Sequence, residues 1–297
     1  MTRHVRALIL LAGALVLAAD VAALGYAFTR GGGSHIPRLP GRVAVRQGCG
    51  LIHMWPDGSD QRNMCLNDVF DEISLSLDGR KLAWDTKAVN AILVAGADGS
   101  NPVNAPLPLG ANVDPTLDPD GDKIAFLHSP RNDGRYDVWV TELQLANAEQ
   151  LTNTRNVSDV AWSPKGDWLA YVQNWSDSTL EGQISLIRPN GNDSHTIVNG
   201  DSPDWSPDGK HLIYFHHGGV WSARPDGADA HLLVPNAHSP AWSRNGKQIA
   251  FMRAERCRRA VCREHVFVAF ANGTGAKEVG PVFREERRVL WLPDPFE

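Results

Sequence analysis

Histidine and acidic side chains are the residues of this sequence that could bind a metal ion. Five of the histidines in its C-terminal third lie in neighbouring repeats and could share a site: His211, His216, His217, His238 and His265. They lack the fixed spacing and the neighbouring carboxylates that orient metal-binding imidazoles. We interpret them as solvated loop histidines, with a metal site at a shared rim as the alternative.

The acidic segment DPDGD, Asp118 to Asp122, could begin a calcium-binding loop. An EF-hand loop starting at Asp118 would need glycine and glutamate where this sequence has Lys123 and Ser129. We therefore predict a turn. The sequence also contains no G-x-S-x-G nucleophile motif. Since no catalytic constellation emerges, we expect neither an enzymatic activity nor a cofactor.

Arginines are concentrated in two segments near the C-terminus, RAERCRRAVCREH (253 to 265) and FREERR (283 to 288). Glutamates interleave with them, so a solvated loop with internal ion pairs is one interpretation. The other is a surface for an acidic partner, because arginine is enriched at protein interfaces. The candidate contacts are Arg256, Arg258, Arg259 and Arg263.

The four cysteines form two local pairs in the sequence. Cys49 and Cys65 flank a segment whose Asp57-Gly58 predicts a hairpin turn, and Cys257 and Cys262 close the short loop CRRAVC. A zinc site would need C-x-x-C pairs or histidines at ligand spacing, and neither pair has them. We predict disulfides Cys49–Cys65 and Cys257–Cys262, with free buried thiols as the alternative.

A repeated phrase predicts the elements that position these residues. The phrases SDVAWSPKGDWLAY (158 to 171), SPDWSPDGKHLIYF (202 to 215) and SPAWSRNGKQIAF (239 to 251) are near copies, and looser versions fill residues 71 to 84 and 113 to 126. Their glycines, at positions 79, 121, 166, 209 and 246, are spaced by 42, 45, 43 and 37 residues. This period matches one four-stranded propeller blade.

Each phrase predicts a strand, a turn and a second strand, and a second hairpin follows. An apolar run leading into Asn-Gly or Asp-Gly recurs downstream, as in QISLIRPNG (183 to 191) and VWSARPDG (220 to 227). Two hairpins per period give four antiparallel strands. Five hairpins of the second kind, and a sixth in residues 137 to 152 with Ala146-Asn147 in place of the glycine turn, predict six blades. The aromatic residues at matched positions, such as Trp162, Trp205, Trp242 and Trp291, are interpreted as packing between blades.

The pattern WSPDGK-x-(I/L)-A-(F/Y), followed by an apolar strand and DGS, resembles the TolB-like, WD-like repeat of exported bacterial proteins across residues 41 to 297. The resemblance implies an all-β, six-bladed β-propeller. RVLWLPDP (288 to 295) repeats the first-strand phrase, and GRVAV (41 to 45) is a second strand without a first. We predict that the C-terminal strand joins the N-terminal strands in one blade and thereby closes the ring.

The first 40 residues predict export. Arg3 and Arg6 precede mostly apolar residues from Ala7 to Phe28, long enough to span a bilayer with the N-terminus in the cytoplasm. We predict a signal anchor over residues 1–30, a flexible linker over 31–40 and the propeller over 41–297. A cleaved signal peptide is the alternative, which would leave a periplasmic or secreted protein.

The loops favour a binding function. In a propeller, the second-to-third and fourth-to-first connections share one face, and here they are unlike one another, as in HSPRNDGRYD (128 to 137) and QNWSDSTLEGQ (173 to 183). The net charge of -5 gives no general attraction to nucleic acid. We expect a monomeric protein-binding or scaffold module of the cell envelope, with Tyr136, Trp175 and the four arginines as anchors. The alternative is a propeller lyase or lactonase-like hydrolase with a channel metal.

Overall fold

The computed structural model describes residues 43–47, 50–54, 56–59, 61–65, 72–86, 91–96, 101–145, 147–176, 181–254, 263–283 and 289–291. These residues form strands, turns and loops, and no helix occurs among them. None of them therefore belongs to a helix long and apolar enough to cross a membrane. The predicted signal anchor and the linker lie outside the described ranges.

The strands form antiparallel sheets. Sheet 1 contains β1 (Val43–Gln47), β2 (Gly50–Met54), β3 (Arg62–Cys65) and, beside β1, the C-terminal β23 (Val289–Trp291). Sheet 2 contains β4 (Ile73–Leu75), β5 (Lys81–Thr86), β6 (Ala91–Gly96) and β7 (Val103–Asn104). Sheet 3 contains β8 (Ala111–Leu117), β9 (Lys123–Ser129), β10 (Asp137–Glu142) and β11 (Glu149–Gln150).

Sheet 4 has seven strands, and sheet 5 has four. Sheet 4 contains β12 (Val157–Trp162), β13 (Leu169–Ser176), β14 (Glu181–Ile187), β15 (His195–Trp205), β16 (Leu212–His216), β17 (Gly219–Ala223) and β18 (His231–Pro235). Sheet 5 contains β19 (His238–Trp242), β20 (Gln248–Ala254), β21 (Glu264–Phe270) and β22 (Lys277–Phe283).

Strand β15 divides sheet 4 into two halves. Its first part pairs with β14 up to Gly200, and its second part pairs with β16 from Asp201 onward. Gly200 has a φ of +154°, and a Cβ there would lie 2.7 Å from the carbonyl oxygen of Phe215. Only glycine fits this passage. The first half (β12 to β15) and the second half (β15 to β18) are therefore two four-stranded groups that share one long strand.

One side-chain hydrogen bond shapes the turn of each repeated phrase. The hydroxyl oxygens of four serines accept a hydrogen bond of 2.9–3.0 Å from the backbone N–H five residues later: Ser76, Ser163, Ser206 and Ser243. In sheet 3 the acceptor is the carboxylate of Asp118, which is bonded to the N–H of Lys123 at 2.9 Å. The segment DPDGD is thus a turn, as predicted, and Gly121 at φ +72° completes it.

The hydrophobic core lies between successive sheets. Ile92 of sheet 2 packs with Phe126 of sheet 3, Leu127 of sheet 3 with Val160 of sheet 4, and Ile213 of sheet 4 with Phe251 of sheet 5. Met252 of sheet 5 then packs with Met54 of sheet 1. This face-to-face packing of sheets buries the apolar residues of each strand pair.

The first strands of successive sheets are also linked by hydrogen bonds. Trp162 Nε1 donates to the carbonyl oxygen of Thr116 at 3.0 Å, and Trp291 Nε1 donates to that of Ala241 at 3.1 Å. The aromatic residues of the phrase therefore pack between sheets, as predicted. Strand β23 pairs with β1, with Trp291 opposite Val43.

Candidate functional site

A cavity of about 260 Å³, here called the channel, is lined by the first strand of every four-stranded group. Its walls come from β4, β8, β12, β15, β19 and β23. The repeated turns that contain Gly79, Gly121, Gly166, Gly209 and Gly246 lie at one end, which we call the turn face. The ends of β9, β13, β16 and β20 lie at the other end, the loop face.

The described lining of the channel contains four carboxylates, including Asp204, and one arginine. Glu72 lies immediately before β4 and therefore near the loop face, whereas Asp114 and Asp159 lie within β8 and β12. Arg244 lines the turn-face end and donates hydrogen bonds to the carbonyl oxygens of Ser76, at 2.8 Å, and Leu77. The carboxylates of Glu72, Asp114 and Asp159 favour cations in the part of the channel that they line.

Arg244 was not singled out from the sequence. Burial lowers the pKa of its guanidinium to about 10, against the opposing charge of Asp78. The signal was available, because Pro119, Pro164 and Pro207 occupy the same position in three other phrases. A long cation in place of a short turn residue indicates a contact beyond the turn.

Backbone strain marks the loop-face opening of the channel. Asp114, Ser202 and Ser239 have φ values of 52°, 51° and 49°, in the left-handed region that few non-glycine residues adopt. Each precedes a proline and lies at a register shift of a first strand. Such positions gather at binding sites, where the surrounding structure maintains the strain.

A larger cavity of about 930 Å³, here called the cleft, opens at the loop face between sheets 2, 3 and 4. Tyr136 and Trp175, the two predicted aromatic anchors, both line it. Val113, Leu127 and Val157 form its apolar part. Glu72 and Asp114 line both the cleft and the channel, so the two cavities meet at these residues. The structure therefore brings Tyr136 and Trp175 into one site.

The polar groups of the cleft are held by specific bonds. Asp85 is buried and accepts a hydrogen bond from the backbone N–H of Glu72 at 2.9 Å. Arg155 Nη2 lies 2.6 Å from Asp133 Oδ2, and its backbone N–H donates to Asp137 Oδ1. Burial raises the pKa of the Tyr136 phenol, and the charges of Asp85 and Asp133 raise it further. Burial and nearby carboxylates thus both favour the neutral phenol at Tyr136.

Only some of the remaining predicted site residues lie in the part of the chain that the structure describes. Arg263 is exposed immediately before β21, whereas Arg256, Arg258 and Arg259 lie outside the described residues. Cys49, Cys257 and Cys262 also lie outside them. Cys65 ends β3 opposite Gly50, the residue after Cys49. The two disulfides remain predictions.

Two of the five histidines differ from their sequence interpretation, whereas His211 and His217 are exposed and lie outside the strands as expected. His238 Nε2 lies 2.9 Å from Glu264 Oε2, and His265 Nδ1 lies 2.6 Å from Glu278 Oε1. We expected no carboxylate partners, but antiparallel pairing brings glutamates beside both imidazoles. His216 stacks on His217 at a centroid distance of 3.9 Å. In the described part of the chain, no three His, Cys, Asp or Glu residues are grouped so as to hold a metal ion.

No known family model matches this chain. The uncharacterized protein YidR of Escherichia coli is 27% identical over 110 residues, which cover 36% of this chain and 26% of YidR. The chain thus matches about a quarter of that relative's length.

Three solved structures show the fold. TolB from Acinetobacter baumannii has a TM-score of 0.69 and 18% identity, with 85% of this chain and 67% of TolB covered. A chain of the nidogen/laminin complex has a TM-score of 0.65 and 11% identity, with 85% of this chain and 98% of that chain covered. An oligogalacturonate lyase in complex with manganese has a TM-score of 0.52 and 12% identity, with 81% of this chain and 72% of the lyase covered. The chain has a TolB-like β-propeller fold.

Proposed function

We propose that this chain is a protein-binding or scaffold module of the bacterial cell envelope and that its loop face is the recognition surface. Its propeller is a closed, monomeric ring of six four-stranded blades. Residues 1–30 export it and anchor it in the membrane, and residues 31–40 separate it from the bilayer. Its propeller lies outside the cytoplasm.

Three features support the ring. The channel is lined by six first strands, one from each four-stranded group. Successive sheets pack on one another from sheet 2 through sheet 5 to sheet 1. The pairing of β23 with β1 joins the two ends of the described chain in one sheet. A ring closed in this way protects its sheet edges from pairing with other chains.

The observation that carries the binding function is the shared cleft of Tyr136 and Trp175. Tyr136 lies in the β9–β10 connection and Trp175 near the end of β13, 39 positions apart in the sequence, and both rings line one cavity beside the channel. Aromatic side chains in such a position combine a large contact area with a polar atom, as binding hot spots do. The nidogen/laminin complex shows that a similar propeller fold occurs in a protein assembly.

The enzyme alternative rests on the similarity to the oligogalacturonate lyase with manganese. That activity would require a metal site, and the residues described here contain no group of three His, Cys, Asp or Glu ligands. Metal analysis and a lyase assay on the purified full chain would distinguish the two functions. Stoichiometric manganese together with cleavage of oligogalacturonate would establish the enzyme instead.

Affinity capture tests the binding function. The full chain, carrying a C-terminal tag, is purified from detergent extracts of its native host's envelope, and co-purified proteins are identified by mass spectrometry. We expect at least one protein to co-purify with the wild type and to be reduced about tenfold or more with Trp175→Ala, since hot-spot truncations cost about 1.4 kcal/mol or more.

Phe270→Ala is the matched control, because Phe270 is a 61% exposed aromatic residue at the β21–β22 hairpin on the turn face. It should leave capture unchanged. Equal losses in both variants, or loss in Phe270→Ala alone, would refute recognition at the loop face. Melting temperatures of both variants show whether a loss of capture reflects unfolding.

A further inference from the structure

The cleft also indicates the kind of side chain that it receives. Its volume of about 930 Å³ lies within the range of pockets that enclose a ligand. It is open toward the loop face, so an extended segment of another protein can place one long side chain in it. The chemistry of its walls determines which side chain fits.

The walls of the cleft combine aromatic rings with acidic groups. Tyr136 and Trp175 are partly exposed and can lie along an aliphatic stem or beneath a cation, which is attracted to the face of an aromatic ring. Glu72 and Asp114 line the inner part, where the cleft joins the channel, and Asp85 lines the cleft next to Glu72. A side chain with an apolar stem and a cationic end matches this order of surfaces.

Two arginines, Arg135 and Arg155, are among the described residues that line the cleft. Arg155 is paired with Asp133 at 2.6 Å, so its charge is compensated locally. Arg135 is exposed on the outer rim, where solvent screens it. Burial is the main cause that raises the pKa of Tyr136, and nearby Asp85, which lines the cleft, raises it further. Arg244 lies at the turn-face end of the channel, where its positive charge repels a cation that enters from the cleft.

We propose that the cleft binds a lysine or arginine side chain presented by an extended segment of the partner protein. This inference rests on the proposed protein-binding function and adds the charge of the recognised residue. The stem packs against Tyr136 and Trp175, and the cationic group is directed toward Glu72, Asp85 and Asp114. The acidic partner expected from the arginine-rich loops would contact a different part of the loop face.

A random heptapeptide library displayed on phage and panned against the full chain tests this proposal. Enriched peptides should contain lysine or arginine. Each is resynthesised with its basic residues replaced by glutamine, which should weaken binding at least tenfold. Binding to the double variant Glu72→Gln/Asp114→Asn should weaken to a similar extent, because only charge is removed and Asn tolerates the left-handed backbone of position 114.

The matched control is Asp120→Asn/Asp208→Asn, which removes two charges from the turn face. Both positions are equivalent to Asn245 in its own turn, so asparagine fits there. This variant should bind the peptides as the wild type does. Equal weakening in both double variants would indicate general attraction and overturn the proposal.

The remaining outcomes distinguish failure of the cationic-ligand proposal from failure of loop-face binding. Peptides that lose binding in Trp175→Ala, but contain no basic residue or tolerate its replacement, would overturn the cationic ligand and leave loop-face binding intact. Enriched peptides that bind equally well to Trp175→Ala and lose binding in Phe270→Ala would overturn both. A library without enrichment on the wild type would also contradict the proposed cleft specificity.

Discussion

Asp118 shows how one residue can depart from the repeat and keep its structure. Its carboxylate accepts hydrogen bonds from the backbone N–H groups of Asp122 and Lys123 at 2.8 and 2.9 Å, as serine does in the other phrases. Burial nevertheless raises the pKa of Asp118 above its ordinary value of 3.8, and nearby Asp120 and Asp122 add to that effect. The folded protein thus binds a proton at Asp118 more tightly than the unfolded chain does.

This pKa shift predicts a stabilising substitution whose effect depends on pH. Because the folded-state pKa is raised, the ionised carboxylate reduces stability as pH rises from 3.8 through the raised value. Asp118→Asn keeps an acceptor oxygen without the charge. We expect the variant to exceed the wild type in free energy of unfolding at pH 7 and the difference to shrink as pH falls toward 4. Urea denaturation at several pH values measures it.

Asp120→Asn is the control for that measurement, since Asp120 is exposed in the same turn. It should produce a smaller gain at pH 7. A gain in Asp118→Asn that stays constant between pH 7 and pH 4 would refute the role of ionisation. A destabilised variant at pH 7 would show that the carboxylate's two hydrogen bonds outweigh its burial.

Arg244 illustrates a residue whose contact crosses between sheets. Its guanidinium connects the turn of sheet 5 to the carbonyl oxygens of Ser76 and Leu77 in sheet 2. A charge-assisted hydrogen bond contributes about 1.5–3 kcal/mol, and we expect about 1–2 kcal/mol from this half-buried group. Arg244→Ala should lower the free energy of unfolding by that amount, and Arg244→Lys should lose less. If both variants unfold like the wild type, the contact is not stabilising.

At the scale of elements, the first strands are joined by different numbers of hydrogen bonds. Trp162 Nε1 donates to Thr116, but in the part of the chain that is described the buried Nε1 of Trp205 has no hydrogen-bond partner. Both rings are nearly buried, with 8% and 7% of their surfaces exposed. A comparison of the two tryptophans therefore distinguishes the contribution of the hydrogen bond from that of ring packing.

Replacing each tryptophan with phenylalanine tests the contribution of this hydrogen bond. Trp162→Phe should lower the free energy of unfolding by about 1 kcal/mol more than Trp205→Phe, because only the first substitution removes a bond and leaves the carbonyl of Thr116 unsatisfied. Denaturation by urea provides the comparison. A larger loss in Trp205→Phe would show that ring packing, rather than hydrogen bonding, distinguishes the two strands.

The repeat predicted the strands and turns because its signals are local. Gly209 supplies the positive φ of its turn at +70°, and alternating apolar residues mark the second strand. The topology of a blade also predicted that Tyr136 and Trp175 would share a face. The repeat could not predict the hydrogen bond between Arg244 and Ser76, which are 168 residues apart, or the one between His238 and Glu264. Those contacts depend on how side chains extend between strands that only the folded structure brings together.

At the scale of the molecule, the pairing of β23 with β1 is the link on which the proposed ring depends. Val289 is buried with Val43 and Val45, and Trp291 bonds to Ala241 in the neighbouring sheet. Deleting residues 288–297 should remove these contacts. Burial of one aromatic side chain alone contributes about 1.5–3 kcal/mol of a total stability near 5–15 kcal/mol.

We therefore expect the shortened chain to melt at a clearly lower temperature, or not to fold. A variant that retains residues 288–297 but carries Trp291→Phe should lie between it and the wild type. Circular dichroism during heating measures all three. An unchanged melting temperature after the deletion would refute closure by the C-terminal strand.

Site-specific photo-crosslinking in the native host tests most directly whether the loop face is the surface that binds a protein. A benzophenone amino acid is placed in the full chain at Arg135, exposed beside the cleft, or at Lys247, exposed next to a turn-face glycine. We predict that irradiation joins a second protein to the chain at position 135 and not at position 247. A protein adduct at position 247 with none at position 135 would contradict the account.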